Sequence, residues 1–380
     1  MARRNETYRI NARVVIRRVH LWLGLTLGAL FALAGITGSA LVFYPEIDRA
    51  LHPALRQVEP GTRPASWEAV FRALRRDHPE RTGAWRIEVT PAGGSIPIRY
   101  YKPVETRDRE FAPLMLWVDP VTLYTVRSEF WGDYLVTWIY DLHYRLLLEK
   151  PGAMIMGIAG TVMLLLLVSG LWAWWPRPGT WRRALRFKSG AAPLRRLYDQ
   201  HKLAGLLGFV PLLVITSTGA MLDLPEQVRP VLGRTSPMFV LPELHSKPRP
   251  RGMLPLDDLV RRAEAVFPKA ELAWIETPAA ATGTVRINLA QPGEPSRRFP
   301  RTNVWLDPYT GKVLLVRNGL KDSAGDKVLN WLHPLHGGEA FALPGRVLAF
   351  ICGFVPALLL ITGRRRWVKR STRLRGVHDV

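Results

Sequence analysis

The chain has 380 residues, 48% of them hydrophobic, and a formal net charge of +22. Most of that charge, +18, sits in three stretches that abut apolar runs: residues 1–20, 176–202 and 364–380 carry six, eight and seven Lys/Arg against one acid each. Such flanking charge marks the cytoplasmic side of membrane spans, whereas a nucleic-acid partner would call for a basic patch on a folded domain, so nucleic acid is excluded as a partner.

In chain order, residues 1–20 are a basic N-terminus expected in the cytoplasm, and residues 21–44 are a first span. A bilayer core about 30 Å thick needs about 20 apolar residues, and this run is too long and lacks an A-x-A-like exit for a cleaved signal. Residues 45–150 form an outer domain, 151–175 a second span, and 176–202 a basic inner loop. A third span follows at 203–222, a second outer domain at 223–343, a fourth span at 344–363 and a basic tail at 364–380. Trp172, Trp174, Trp175 and Trp367 crowd the span ends, as an aromatic belt does. The expected fold is α-helical membrane protein, four transmembrane helices with two α+β domains. Both termini lie inside, and the domains face the periplasm across a bacterial inner membrane.

The two halves repeat. His20 opens the first span in HLWLG and His201 opens the third in HKLAG; Thr37-Gly38 and Thr218-Gly219 follow at equal distance. In the outer segments, Trp67–Trp85 and Leu256–Trp274 each read as an amphipathic helix leading into strand-like alternation. Each then reaches a near-identical corner, WVDPVT at 117–122 and WLDPYT at 305–310, where Asp-Pro fits a hairpin. Trp138, His143, Pro151-Gly152, Gly160 and Gly170 match Trp331, His336, Pro344-Gly345, Gly353 and Gly363 at a constant offset. Both copies run in the same in–out direction, so any pseudo-two-fold axis lies along the membrane normal.

Of nine histidines, His52, His78, His245 and His378 lie in polar surroundings without counterparts and read as surface residues. The other five sit at span ends: His20, His201, His143, His336 and His333. A single histidine there is ordinarily an interfacial residue that snorkels or caps. Duplication puts His20 with His201 at one membrane face and His143 with His336 at the other, and two facing imidazoles can supply axial nitrogens to a haem iron. C-x-x-C-H is absent, which excludes the usual attachment of c-type haem; two such pairs would hold one haem or two, with two expected. Gly24, Gly28, Gly205 and Gly208 would admit a flat macrocycle; Arg17, Arg18, Lys202 and Arg145 are candidate partners for its propionates or simple flanking charges. Ion or substrate transport is the competing use of membrane histidines, but the spans hold no charged residue at mid-depth. Zinc at His333 and His336 would lack an evident third ligand. His333 answers to Tyr140 and breaks the symmetry, either replacing His336 as a ligand or lying near a substrate. No G-x-G-x-x-G or Walker A motif is present, so no flavin or nucleotide site is expected.

This pattern resembles the PepSY-associated transmembrane family, which includes iron-regulated inner-membrane proteins and ferric-siderophore reductases of the FoxB type. The resemblance rests on R-x-x-H opening the first span, both W-[VL]-D-P-x-T corners, and the W-x-x-x-x-H…P-G entries to the even spans. It covers nearly the whole chain. It implies PepSY-like outer domains, b-type haem on span histidines, and one-electron reduction of periplasmic ferric siderophores to release Fe(II). Electrons would come from a membrane quinol or a separate cytoplasmic donor. The alternatives are a non-enzymatic PepSY module that binds or regulates a partner, and a transporter subunit for metal, haem or siderophore.

Overall fold

The computed structural model describes residues 12–56, 58–90 and 93–375. The basic stretch before residue 12 and His378 lie outside the described residues. The chain divides into a helical unit, Met1–Val42, Gly152–Leu224 and Leu335–Val380, and a sheet unit, Phe43–Pro151 and Pro225–Pro334.

Three helices of the described residues are long and apolar enough to cross a membrane: Glu149–Trp174, Pro193–Asp223 and Glu339–Thr372. A fourth candidate is the pair Ala12–Thr26 and Gly28–Val42, bent by 59°. In chain order the bent pair is the first candidate span, and these three are called the second, third and fourth. The bend has a local cause: the Thr26 hydroxyl donates back to the Trp22 carbonyl at 2.8 Å, one residue before the break that precedes Gly28. Such a bond loosens the backbone ladder, and glycine adds no side chain to stiffen it. The fourth span breaks between Ala342–Cys352 and Val355–Arg375, where Pro356 has no N–H to return to the Cys352 carbonyl. Helices outrun the apolar runs that announce them. The third begins at Pro193, ten residues before its expected start, with Pro at its first turn.

Inside a membrane, apolar burial gives helices little reason to associate, so close backbone packing must do it. Gly35 and Gly353 supply that packing between the first and fourth spans: a Cβ on either would collide with the other's carbonyl oxygen. Ser39 Oγ donates to the Phe350 carbonyl at 2.7 Å beside them. The equivalent contact joins the second and third spans, where a Cβ at Gly160 would lie 3.0 Å from Ala220 Cβ. The bundle therefore repeats the internal symmetry of the sequence.

In the sheet unit the strands are β1 (Trp85–Glu88), β2 (Ile96–Tyr100), β3 (Leu114–Val118), β4 (Thr125–Phe130), β5 (Glu271–Glu276), β6 (Val285–Ala290), β7 (Thr302–Leu306) and β8 (Val313–Arg317). They form one antiparallel sheet in the order β4-β3-β2-β1-β5-β6-β7-β8. The two outer segments, expected as separate domains, thus share a sheet and a core. The join is β1 against β5, with Ile87 opposite Ile275. Each four-stranded half would otherwise leave its first strand as an open edge, and pairing the two edges removes both.

The Trp67–Asp77 and Leu256–Val266 helices pack on the face carrying Ile87, Ile98, Leu116, Ile275, Ile287 and Leu306, all fully buried. Their N-termini cap each other. Asp257 accepts from Ser66 Oγ at 2.5 Å, Trp67 N at 2.8 Å and Glu68 N at 3.2 Å. Glu68, its equivalent in the first copy, accepts from Leu256 N at 2.9 Å. The Asp-Pro corners also match: Asp119 Oδ1 accepts from the Val121 and Thr122 amides, and Asp307 Oδ1 from those of Tyr309 and Thr310. These are Asx turns, in which a carboxylate stands in for a backbone acceptor.

Candidate cofactor site

His20 and His201 meet in the helical unit. Their ring centroids are 6.4 Å apart and their planes cross at 89°. Each is held by its other neighbour at equivalent atoms. His20 Nδ1 lies 3.0 Å from Ser169 Oγ on the second span. His201 Nδ1 lies 3.0 Å from Thr362 Oγ1 and 3.1 Å from the Leu359 carbonyl on the fourth. Ser169 and Thr362 are the same position in the two copies, each one residue before a matched glycine, Gly170 or Gly363. A Cβ at Gly170 would approach His20 Cε1 to 2.9 Å, so glycine there admits the ring.

These contacts assign the tautomers. A backbone carbonyl can accept but not donate, so His201 Nδ1 carries the hydrogen. The hydroxyl hydrogens of Ser169 and Thr362 are already given to the Leu166 carbonyl at 2.9 Å and the Leu358 carbonyl at 2.7 Å. Ser169 Oγ must then accept from His20 Nδ1. Both imidazoles therefore present an Nε2 lone pair, with the ring fixed from behind as metal-ligating histidines commonly are.

The residues fit a haem iron. His20 and His201 would hold it, since paired imidazoles with free Nε2 atoms on neighbouring helices are the donor type a haem iron takes. Gly24 and Gly205 stand one turn after the two histidines, on the same helix faces. A Cβ at Gly24 would meet no atom within 4 Å, and one at Gly205 would be in ordinary contact with Leu359 Cδ2 at 3.7 Å, so helix packing does not require glycine at either position. Gly28 and Gly208 are different: Leu360 and Val355 side chains pack on them, which makes them helix contacts.

The candidate cations sort in the same way. Lys202 is buried and committed to Asp199 at 2.8 Å and the Arg186 carbonyl at 3.1 Å. Arg145 belongs to the sheet unit, where Asp141 at 2.8 Å and Glu149 at 2.5 Å hold it. Both form structural ion pairs, and a buried cation already neutralised has little charge to offer a propionate. Arg17 reaches the Ala173 carbonyl at 3.2 Å. Arg366 at the end of the fourth span lies over the Tyr198 ring, 4.8 Å from its centroid. Its position in R-R-R at a span end gave no hint that it differs from its neighbours.

The remaining histidines divide between the units. In the helical unit His336 Nδ1 lies 2.9 Å from the Ile215 carbonyl, and a Cβ at Gly219 would come 2.7 Å from its Cε1. His143 and His333 are counted with the sheet unit; the His333 ring lies 4.8 Å from that of Phe299. Among the described residues no group of three or more His, Cys, Asp and Glu is placed to hold a metal ion.

A family model described as PepSY-associated TM region matches residues 17–370. No curated protein matches the chain.

Proposed function

We propose that this chain, which belongs to the PepSY-associated TM region family, is a haem-holding reductase of the bacterial inner membrane that delivers single electrons to ferric siderophores. The observation that carries the reading is the His20–His201 pair: two perpendicular rings 6.4 Å apart, each turned by a bond at Nδ1 so that Nε2 faces away from its own support. Haem held there would supply one-electron exchange. The chain's own residues do the rest. Ser169 and Thr362 fix ring orientation, Gly170 and Gly363 give the rings room, and the apolar spans exclude water.

The reading places the basic ends inside, by the asymmetry of Lys and Arg, and the sheet unit in the periplasm. Siderophores hold Fe(III) through hard oxygen donors, which bind Fe(II) far more weakly. One electron added to the ferric complex therefore frees the iron and leaves the chelator intact. Electrons enter from a membrane quinol or a separate cytoplasmic donor. The second pair expected from the repeat, His143 and His336, rests on the repeat for its place in this scheme.

Full-length protein purified from haem-replete cells tests the proposal. It is expected to be red, with a Soret band that shifts on dithionite and on addition of a ferric siderophore to the reduced protein. His20→Ala and His201→Ala are each expected to lose that haem. A colourless protein would sink the reading in favour of a non-enzymatic module; unchanged spectra in both variants would remove the ligand assignment. Siderophore accumulation in reconstituted vesicles without reductant would favour a transporter subunit.

A further inference from the structure

A groove of about 670 Å³ opens at the basic end of the helical unit, between the start of the third span and the end of the fourth. Arg196, Arg364, Arg365 and Lys369 line it together with Phe187 and Val368, and none of its lining residues is a carboxylate. Four cations around one concavity repel one another, and a fold has no packing reason to gather them. An anion between them removes that repulsion.

The internal repeat supplies a control within the same molecule. The positions equivalent to Arg196, Arg364, Arg365 and Lys369 in the first copy are Val15, Leu171, Trp172 and Pro176. Val15 and Trp172 are exposed, as suits a surface turned to lipid. Duplication thus produced two like surfaces at the ends of the spans. At these four positions the first copy is apolar and the second is cationic with apolar neighbours.

The surroundings set the depth. The connecting segment before the third span presents Trp181, Leu185 and Phe187 outward, interleaved with Arg182, Arg183, Arg186 and Lys188. Exposed aromatic and aliphatic side chains alternating with Arg and Lys occupy the interface between headgroups and acyl chains. A groove at that level lined by both cations and apolar side chains is complementary to a phosphate that carries a hydrocarbon tail.

We infer that this groove binds the headgroup phosphate of an anionic phospholipid, with Arg364 and Arg365 as its main contacts. Arg196 and Lys369 close the sides, and Phe187 and Val368 meet the glycerol end. The inference needs no cofactor and stands apart from the proposed electron transfer.

The test uses full-length protein in neutral detergent, with bound-lipid occupancy read by native mass spectrometry. Phosphatidylglycerol and phosphatidylcholine are titrated separately, and inorganic phosphate is added as competitor. Wild type is expected to prefer phosphatidylglycerol and to keep it against phosphate. Each Arg or Lys near an anionic lipid contributes about fivefold in affinity, so R364Q/R365Q is expected to bind about 30-fold more weakly. R182Q/R183Q, which removes equal charge outside the groove, is expected to stay within about twofold. Equal losses in the two variants, or no preference between the lipids, would overturn the proposal. Displacement of the lipid by phosphate would do so too, by assigning the groove to a soluble anion. If R364Q/R365Q fails to elute as wild type, R196Q and K369Q carry the same test, each with about a fivefold loss.

Discussion

Gly24 and Gly205 offer a way to separate the fold of the helical unit from its capacity to hold haem. The perturbation is the double substitution Gly24→Leu, Gly205→Leu. Without a cofactor the first added atom is tolerated at both sites: no atom lies within 4 Å of a Cβ at Gly24, and Leu359 Cδ2 lies in ordinary contact, 3.7 Å from one at Gly205. Leucine also outranks glycine within a helix by about 0.8–1 kcal/mol per site, so the haem-free protein is expected to become slightly more stable. A macrocycle beside His20 and His201 needs that same space. Forcing extra atoms into an occupied site costs about 1–3 kcal/mol, which corresponds to about 5- to 150-fold weaker haem retention. The assay pairs a pyridine haemochrome measurement of haem per chain with thermal unfolding in detergent. Haem is expected to fall while the unfolding temperature of haem-stripped protein holds or rises. Unchanged haem content in a well-folded double variant would refute the placement. A loss of stability in the haem-free state would show instead that these glycines serve packing.

Gly353→Ala is expected to destabilise the helical unit by about 1–3 kcal/mol, because its Cβ collides with the Gly35 carbonyl and Ser39 Oγ. Gly160→Ala, at the equivalent crossing, meets Ala220 Cβ at 3.0 Å and is expected to cost less, which unfolding of both variants side by side would show. Ile275→Ala, at the seam opposite fully buried Ile87, is expected to cost about 2–5 kcal/mol, read as a drop in the unfolding temperature of full-length protein. Asp257→Ala removes the acceptor of the Trp67 and Glu68 amides at the start of the Trp67–Asp77 helix and is expected to cost about 1–2 kcal/mol near neutral pH. Burial pushes the Asp257 carboxyl up, but the bonds from Ser66 and the Trp67 and Glu68 amides pull it down by more, leaving it below its ordinary value of 3.8. A carboxyl lowered in the folded state stabilises fully above its unfolded pKa and loses that contribution as pH falls through the folded one. The gap between wild type and Asp257→Ala is therefore expected to stay constant above about pH 5 and to shrink below about pH 4. A gap that widens on acidification would contradict the capping role.

Composition and spacing made the membrane character, the duplication and the sheet-bearing outer segments legible. Apolar runs are local in the chain, repeats are visible at fixed offsets, and period-two alternation announces strands before any partner is known. The WVDPVT and WLDPYT corners were legible for the same reason: an Asp that accepts from the two amides beyond it needs nothing but its own segment. Helix ends were less so. Pro193 starts the third span well before its apolar run because Asp199, Lys202 and Arg195 neutralise one another on the helix, an ion pairing that hydropathy counts as breaks.

What depended on tertiary structure was every relation between the copies. Whether two four-stranded halves stand apart or share a seam depends on which edges meet, and edge backbone groups look alike in sequence. Glu68 and Asp257 are first-turn acids of their own helices, and only the fold crosses them onto each other's. The duplicated histidines showed that His20 and His201 share a depth, but not that Ser169 and Thr362 stand behind them. Those hydroxyls lie 149 and 161 residues away along the chain from the rings they orient. A hydrogen bond that sets a tautomer is made between spans, and such contacts leave a trace in one sequence only where the repeat wrote them twice.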